Sequence, residues 1–463
     1  MNELPAAPIL LPAGVRDGTG TCDLRRPRAK SRDRDVGLLY LVGLTLPFPE
    51  LGFPLNEVFT LSITSLIGMV FAFRRLGRHG LMAAHKAALV MLVVFAATAI
   101  ARHPLSSYAL SLAALGLALL PFANSRLSRG ELRGLVQGLL LGMGLTLGLM
   151  ALCILPQVVG AVELLGPLAS VLVGTEQMGV FLGYIRPFAG FSEPSYLAIY
   201  LTSIYVVLDL LVRAGWPLAF WRAVAPVAVL LTGSVSGLVL LVLYVVSRWG
   251  GALGRLLAGR FSMKLVLRGL VASAVLVALF LAVGPDPGDL FEQYALRVLK
   301  TLDDVETGNL VGSEGSRVNA VLALPDYWDA TGLPGFLTGT GYANHKAWLI
   351  DAYGHLNESA TFSRGAVDSI LIAVFLSTGV FGVAAYLRFL AIGFGARVLA
   401  AHMSLAVFVL AINFAYGYLI AGLYWQLLFV LAATARQCVP QETRPRRRRR
   451  VFGVRPLGRS LNT

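Results

Sequence analysis

The stretch Arg-Pro-Phe-Ala-Gly-Phe-Ser-Glu-Pro-Ser, residues 186–195, puts an arginine, a carboxylate and a hydroxyl within ten positions, at the mouth of an apolar run. Pro194 suits the first turn of a helix, where a missing N–H loses no intrahelical bond. Glu193, just before it, is steered to extended backbone. Glu193 and Ser195 are therefore expected at a helix N-terminus, whose free N–H groups and partial positive charge attract anions. Arg186 adds a guanidinium, whose fork fits phosphate oxygens. Together these groups suit a phosphate held beside a reacting hydroxyl. They equally suit a plain Arg186–Glu193 ion pair closing a loop, because structural ion pairs also occupy such mouths.

The elements that must position these residues follow from composition. Of 463 residues, 56% are hydrophobic and 14% charged, against about 25% charged in a soluble domain. Apolar runs recur from residue 36 to residue 436. A membrane-crossing helix needs roughly 20 mostly apolar residues. The pattern predicts an all-α polytopic membrane protein with about twelve transmembrane helices: 36–54, 57–73, 85–101, 105–123, 134–155, 194–213, 217–232, 234–249, 264–284, 366–394, 403–419 and 420–436. The tenth carries Gly379 and Gly382, so a kink or a split into two short helices is open there. Continuous rather than alternating apolar runs exclude a transmembrane β-barrel. Residues 1–35 read as a disordered tail without a cleavable signal peptide, and 437–463 as a basic tail.

Orientation follows from the basic segments 25–34, 74–80, 125–133, 247–264 and 444–450. Lysine and arginine collect on the cytoplasmic side. Twelve spans put all five segments, and both termini, on that side. The net charge of +14 then reflects topology. The arginine tail is expected to meet anionic membrane lipid rather than nucleic acid.

Two outer loops remain, 156–193 and 285–365. The second holds five basic residues (Arg297, Lys300, Arg317, Lys346, Arg364) and eleven acidic ones. It is expected to open with an amphipathic helix bearing Phe291, Tyr294, Val298, Leu302 and Val305 on one face. A second helix is expected after the cap Ser316, followed by an irregular glycine-rich stretch, 333–345. Cys22, Cys153 and Cys438 fall outside both outer loops, so no disulfide framework is expected. The acidic clusters 286–289 and 302–306 are accounted for by helix caps and solvated faces, and no metal-ligand spacing or phosphate-binding glycine loop stands out.

With these segments in place the chain resembles the bacterial O-antigen and exopolysaccharide polymerases, within a superfamily that includes the O-antigen ligases. Residues 186–198 resemble a segment pairing an arginine with a downstream Glu-Pro-Ser. Residues 230–241, Leu-Leu-Thr-Gly-Ser-Val-Ser-Gly-Leu-Val-Leu-Leu, resemble a small-residue hairpin between two spans. Residues 316–343 resemble a large-loop pattern of arginine, tryptophan, then Gly-x-Gly. Residues 368–382 resemble the segment leading into Gly-x-x-Gly after that loop. Where the ligase-like pattern tends to have His-Asn, this chain has Asp368 and Ser369, which looks more like a polymerase. The hairpin has Val235 where an arginine often follows the serine, which shifts phosphate binding to Arg186 and Arg317.

The resemblance implies a glycosyltransferase at the periplasmic face of a bacterial inner membrane, acting on a polyprenyl-diphosphate-linked oligosaccharide. It implies no cofactor and no metal, and a chain-length regulator and a flippase as partners. Diphosphate leaves as an anion, so the enzyme must neutralise its charge. Arg186 and Arg317 are the residues for that, with Arg364 in reserve. Glu193 and Asp368 are the carboxylates for accepting the acceptor's proton. His355 and His345 are weaker choices, since a lone loop histidine is usually just solvated. Tyr196, Tyr327, Trp328, Tyr342 and Trp348 are available to stack on sugars or to join an interfacial aromatic belt. Two alternatives are an O-antigen ligase, against which Asp368 argues, and a polysaccharide or lipid-linked-glycan transporter, against which the nearly charge-free spans argue.

Overall fold

The computed structural model describes residues 29–49, 51–54, 60–101, 109–159, 193–257, 313–342, 369–416 and 422–438, with isolated residues between 161 and 191 and at 296. They form thirteen helices: α1 (Ala29–Thr45), α2 (Ile63–His79), α3 (Ala83–Ile100), α4 (Ala109–Ala123), α5 (Arg129–Val158), α6 (Pro194–Arg213), α7 (Ala219–Leu231), α8 (Val235–Leu257), α9 (Ser313–Thr338), α10 (Ile370–Phe394), α11 (Ala396–Ala401), α12 (Met403–Ala415) and α13 (Gly422–Cys438). Two minimal antiparallel pairs, β1 (Gly52–Pro54) with β2 (Thr60–Ser62) and β3 (Val180–Phe181) with β4 (Tyr184–Ile185), complete them.

Four helices, α3, α5, α6 and α10, are long and apolar enough to cross a membrane. Shorter apolar helices accompany them in α1, α4, α7, α8 and α12. The expected spans at 194–213, 85–101 and 217–232 match α6, α3 and α7 within two residues. The first differs: helix reaches back to Ala29, into the stretch expected to be disordered, and ends at Thr45 rather than residue 54. The expected ninth span, 264–284, lies outside the described residues.

α6 is the centre of the bundle. It is mostly apolar, as a helix with neighbours on every side must be, and fifteen of its twenty residues are buried. By contrast Leu89, Val90 and Val93 on α3, and Leu141, Leu145, Leu152 and Leu155 on α5, are exposed. A lipid surround would accept such a surface without cost, and helix association in it would rely on close packing of small residues. α5 illustrates this with Gly134, Gly138 and Gly142, four residues apart on one face. A Cβ at Gly138 would overlap the Tyr40 carbonyl oxygen of α1, and one at Gly43 would overlap the backbone of Leu135.

Polar contacts gather the arginines at one end of the bundle. Arg74 and Arg78 of α2 pair with Asp35 near the start of α1, and Arg75 pairs with Glu131 at the start of α5. Asn124 at the end of α4 meets His85 at the start of α3. Arg436 of α13 donates from Nε to Gly393 O at 2.9 Å and from Nη2 to Ile392 O at 2.8 Å. A cation there complements the negative C-terminal end of α10. α11 then leads to His402, which lies in the field of Arg213 and Arg248. Thus α2, α4, α6, α8, α10 and α13 run toward the arginine-rich end, and α1, α3, α5, α7 and α12 start from it.

Candidate functional site

At the opposite end, α6 starts as its sequence predicts. Glu193 is its N-cap, extended at φ −131° and ψ 138°, with Pro194 in the first turn. The Glu193 carbonyl accepts from Tyr196 N at 3.1 Å and Leu197 N at 3.3 Å. Its carboxylate makes no cap bond to the backbone; instead Oε2 accepts from the Ser195 hydroxyl at 2.8 Å. Glu193 is exposed while Ser195 is buried, so the carboxylate faces outward from a fixed hydroxyl.

Tyr196 extends this end sideways. Its ring lies 5.3 Å from that of Tyr416, the residue that closes α12. The Tyr416 carbonyl accepts from Ile370 N at 2.8 Å, and the Ser369 hydroxyl caps α10 through Ile372 N at 3.4 Å. The start of α6, the end of α12 and the start of α10 therefore meet at one joint. Behind it, the Tyr424 hydroxyl donates to Asn413 Oδ1 at 2.7 Å, and the single proton of the Tyr386 hydroxyl has Asn413 Oδ1 and the Tyr424 oxygen within reach. A buried hydrogen-bonded network of this kind holds the helices in one register.

The small-residue hairpin reaches the same level. Thr232 and Ser234 are buried, and Thr232 Oγ1 accepts from Ser234 N at 3.3 Å. A Cβ at Gly237 would overlap that of Ala198. α6 and α8 run in the same direction from this contact, which sets Ser234 level with the first turn of α6.

The Gly-x-Gly stretch docks on a break in α10. Gly379 interrupts that helix at φ 61° and ψ −162°, a region open essentially to glycine alone. The break removes the intrahelical donors that the Leu376 and Ser377 carbonyls would otherwise have. Thr340 N supplies Leu376 O at 2.9 Å and Gly341 N supplies Ser377 O at 2.9 Å. Thr340 Oγ1 adds a bond to Leu376 O at 3.0 Å, and Tyr327 OH reaches the same oxygen at 3.4 Å. In lipid an unsatisfied carbonyl is costly, so a broken helix needs such a partner. Gly339 and Gly341 take positive φ, 73° and 101°, to bring their backbone in. The stretch expected to be irregular from residue 333 is instead helical through Thr338, after a break at Gly332.

The predicted site residues fall into four groups. Glu193 and Tyr196 sit together at the α6 start. Arg317 lies on α9, whose backbone alone is described there; that helix starts at Ser313 rather than after Ser316. Arg186, Arg364, Asp368, His345 and His355 lie outside the described residues, as does Trp348. Trp328 is 45% exposed and packs edge-on against Phe336 at 5.0 Å. Tyr342 is 6% exposed and stacks on Phe95 of α3 at 5.4 Å, so its ring anchors the loop rather than facing a sugar. Tyr327 is likewise buried. The sequence reading missed Tyr416; no charge or motif marks it, and only its chain position at the end of an apolar run hinted at an interfacial aromatic. Among the described residues no group of three or more histidines, cysteines or acids is placed to hold a metal. The sequence matches no protein-family model and no curated protein.

Proposed function

We propose that the protein is a glycosyltransferase that polymerises polyprenyl-diphosphate-linked oligosaccharide repeats at the periplasmic face of a bacterial inner membrane. In this reading the chain has twelve spans, its termini are cytoplasmic, and the Glu193 end of the bundle faces outward. The observation that carries it is the joint at Tyr416, whose ring meets Tyr196, three residues after Glu193, and whose carbonyl accepts from Ile370 N at the start of α10. Two helix starts from distant parts of the sequence, those of α6 and α10, are thereby tied to one residue.

The acceptor hydroxyl oxygen attacks the anomeric carbon of the donor sugar. The bond from that carbon to the diphosphate oxygen breaks, and the diphosphate leaves as an anion. Arg186 and Arg317 take up its charge. The hydroxyl proton passes to Glu193 or Asp368. Ser195, donating to Glu193, fixes the carboxylate's direction.

The test is elongation of purified lipid-linked repeats by the purified protein. Growth of a ladder of polymers on the lipid carrier is the expected result. Transfer only to a separate lipid or protein acceptor would establish a ligase. In cells, loss of a polymerase leaves single repeats, whereas loss of a ligase leaves long chains on the carrier.

A further inference from the structure

At the arginine-rich end, three guanidiniums from three helices surround one carboxylate. Asp209, in the last turns of α6, has a side chain 9% exposed. Arg213 of α6, Arg222 of α7 and Arg248 of α8 approach it at 3.3, 3.3 and 3.6 Å. The Tyr244 hydroxyl donates to its Oδ2 at 2.9 Å. Each arginine contact is single and long, whereas a dedicated arginine–carboxylate fork closes to about 2.7–2.9 Å on two bonds. Arg222 spends one Nη on Asp209, and Arg213 spends Nε on a backbone carbonyl and one Nη on Tyr244 at 3.5 Å. Nε of Arg248, at 3.6 Å from Asp209 Oδ2 too far for a hydrogen bond, and Nε2 of His402 are buried with no hydrogen-bond partner among the described residues.

The cluster carries a surplus of two positive charges, because no second carboxylate among the described residues pairs with these arginines. Their side chains are 27–37% exposed, so the remaining N–H groups are reachable. His402, on the link before α12, adds no compensating charge; burial first, then Arg213 and Arg248, lower its pKa. The surroundings give the level. Trp249 is 43% exposed, with the Arg248 guanidinium 5.6 Å from its ring, and Phe220 is 71% exposed beside Trp221. Exposed aromatics beside arginines at the ends of apolar helices mark the headgroup layer.

We propose that Arg213, Arg222 and Arg248 bind the phosphate of an anionic phospholipid in the adjacent leaflet. The phosphate offsets the surplus charge and its oxygens meet the open forks. A soluble phosphate has the same chemistry at the arginines, but nothing in it would contact Trp249 and Phe220. The site is independent of the reaction proposed above.

The test uses the full chain in a neutral detergent, with phosphatidylglycerol, phosphatidylcholine or inorganic phosphate added. Lipid retention is read by native mass spectrometry and stability by thermal unfolding. Phosphatidylglycerol is expected to be retained and to raise Tm, while the other two do neither. Arg222→Gln leaves two arginines on Asp209 and should weaken retention about fivefold; Arg248→Gln replaces it if that variant does not fold. Asp209→Asn keeps all three arginines and should retain phosphatidylglycerol at least as well as wild type. Retention of phosphatidylglycerol no better than phosphatidylcholine overturns the proposal, as does equal retention by the glutamine variant. Equal stabilisation by inorganic phosphate overturns the lipid as the source.

Discussion

The rings of Tyr196 and Tyr416 lie 5.3 Å apart, inclined at 43°. This contact fastens the helix start that carries Glu193 to the end of α12, and the Tyr416 carbonyl fastens that end to Ile370 of α10.

Glu193→Gln preserves size and the ability to accept from Ser195, but it cannot take a proton. If Glu193 is the base, turnover of purified lipid-linked repeats should fall about 10²–10⁴-fold with donor binding little changed. Ser195→Ala should be milder, because it removes only the bond that directs the carboxylate. Near-normal turnover in Glu193→Gln beside an inactive Asp368→Asn would move the base to Asp368.

Arg186→Lys and Arg317→Lys should each lose most activity while expression stays near that of wild type. An ammonium is a point charge and does not reproduce the guanidinium fork on a diphosphate. Two fully active lysine variants in the elongation assay would remove both residues from the phosphate site.

A reporter active only in the cytoplasm, fused after Gly335, should be silent. Fusion after Arg213, at the arginine-rich end, should be active. The reverse pattern would invert the proposed orientation and detach the site from the outer face.

Gly379→Ala should lower the yield of folded protein, since the conformation at this position costs any other residue about 1–3 kcal/mol. A Cβ there would also overlap the backbone of Leu337, and one at Gly339 would overlap that of Ser377. Thr340→Val is the contrasting change. It removes the hydroxyl bond to Leu376 O but leaves the backbone pairing, and should cost about 1 kcal/mol. Equal melting temperatures for Gly379→Ala and wild type would contradict the docking of this loop on the helix break.

Gly138→Val should separate α1 from α5 and sharply reduce the folded fraction seen by size-exclusion chromatography. Gly148→Ala, on the same helix, is the control, because a Cβ there has nothing within 4 Å. Alanine is the better helix former by about 1 kcal/mol, so this variant should match or exceed wild type. Tolerance of valine at Gly138 would refute the close backbone contact with Tyr40.

The helices were legible because they are written locally. Pro194 after Glu193 announces the start of α6, and a mostly apolar run to Leu211, interrupted by Thr202, Ser203 and Asp209, announces its length and burial. The arginine segments 74–80 and 125–133 announced that α2 and α4 would end where α3 and α5 begin. The breaks were half legible: Gly379 marked a place where α10 was free to kink, but Gly332 did not announce that Leu333–Thr338 would resume as helix.

What the tertiary structure alone decided is which of these pieces touch. Glu193 and Ser369 are 176 positions apart in sequence, and nothing local couples them. Tyr416 couples their near neighbours, Tyr196 through a ring contact and Ile370 through a backbone carbonyl, and both contacts exist only after α6, α10 and α12 are packed. Likewise Thr340 and Gly341 have unremarkable donors until the break at Gly379 leaves the Leu376 and Ser377 carbonyls without partners. Sequence determines where a backbone group loses its intrahelical bond, because that depends on the residue itself. Only the packed chain determines what replaces the bond, because in an apolar surrounding the replacement must come from a distant segment brought within about 3 Å.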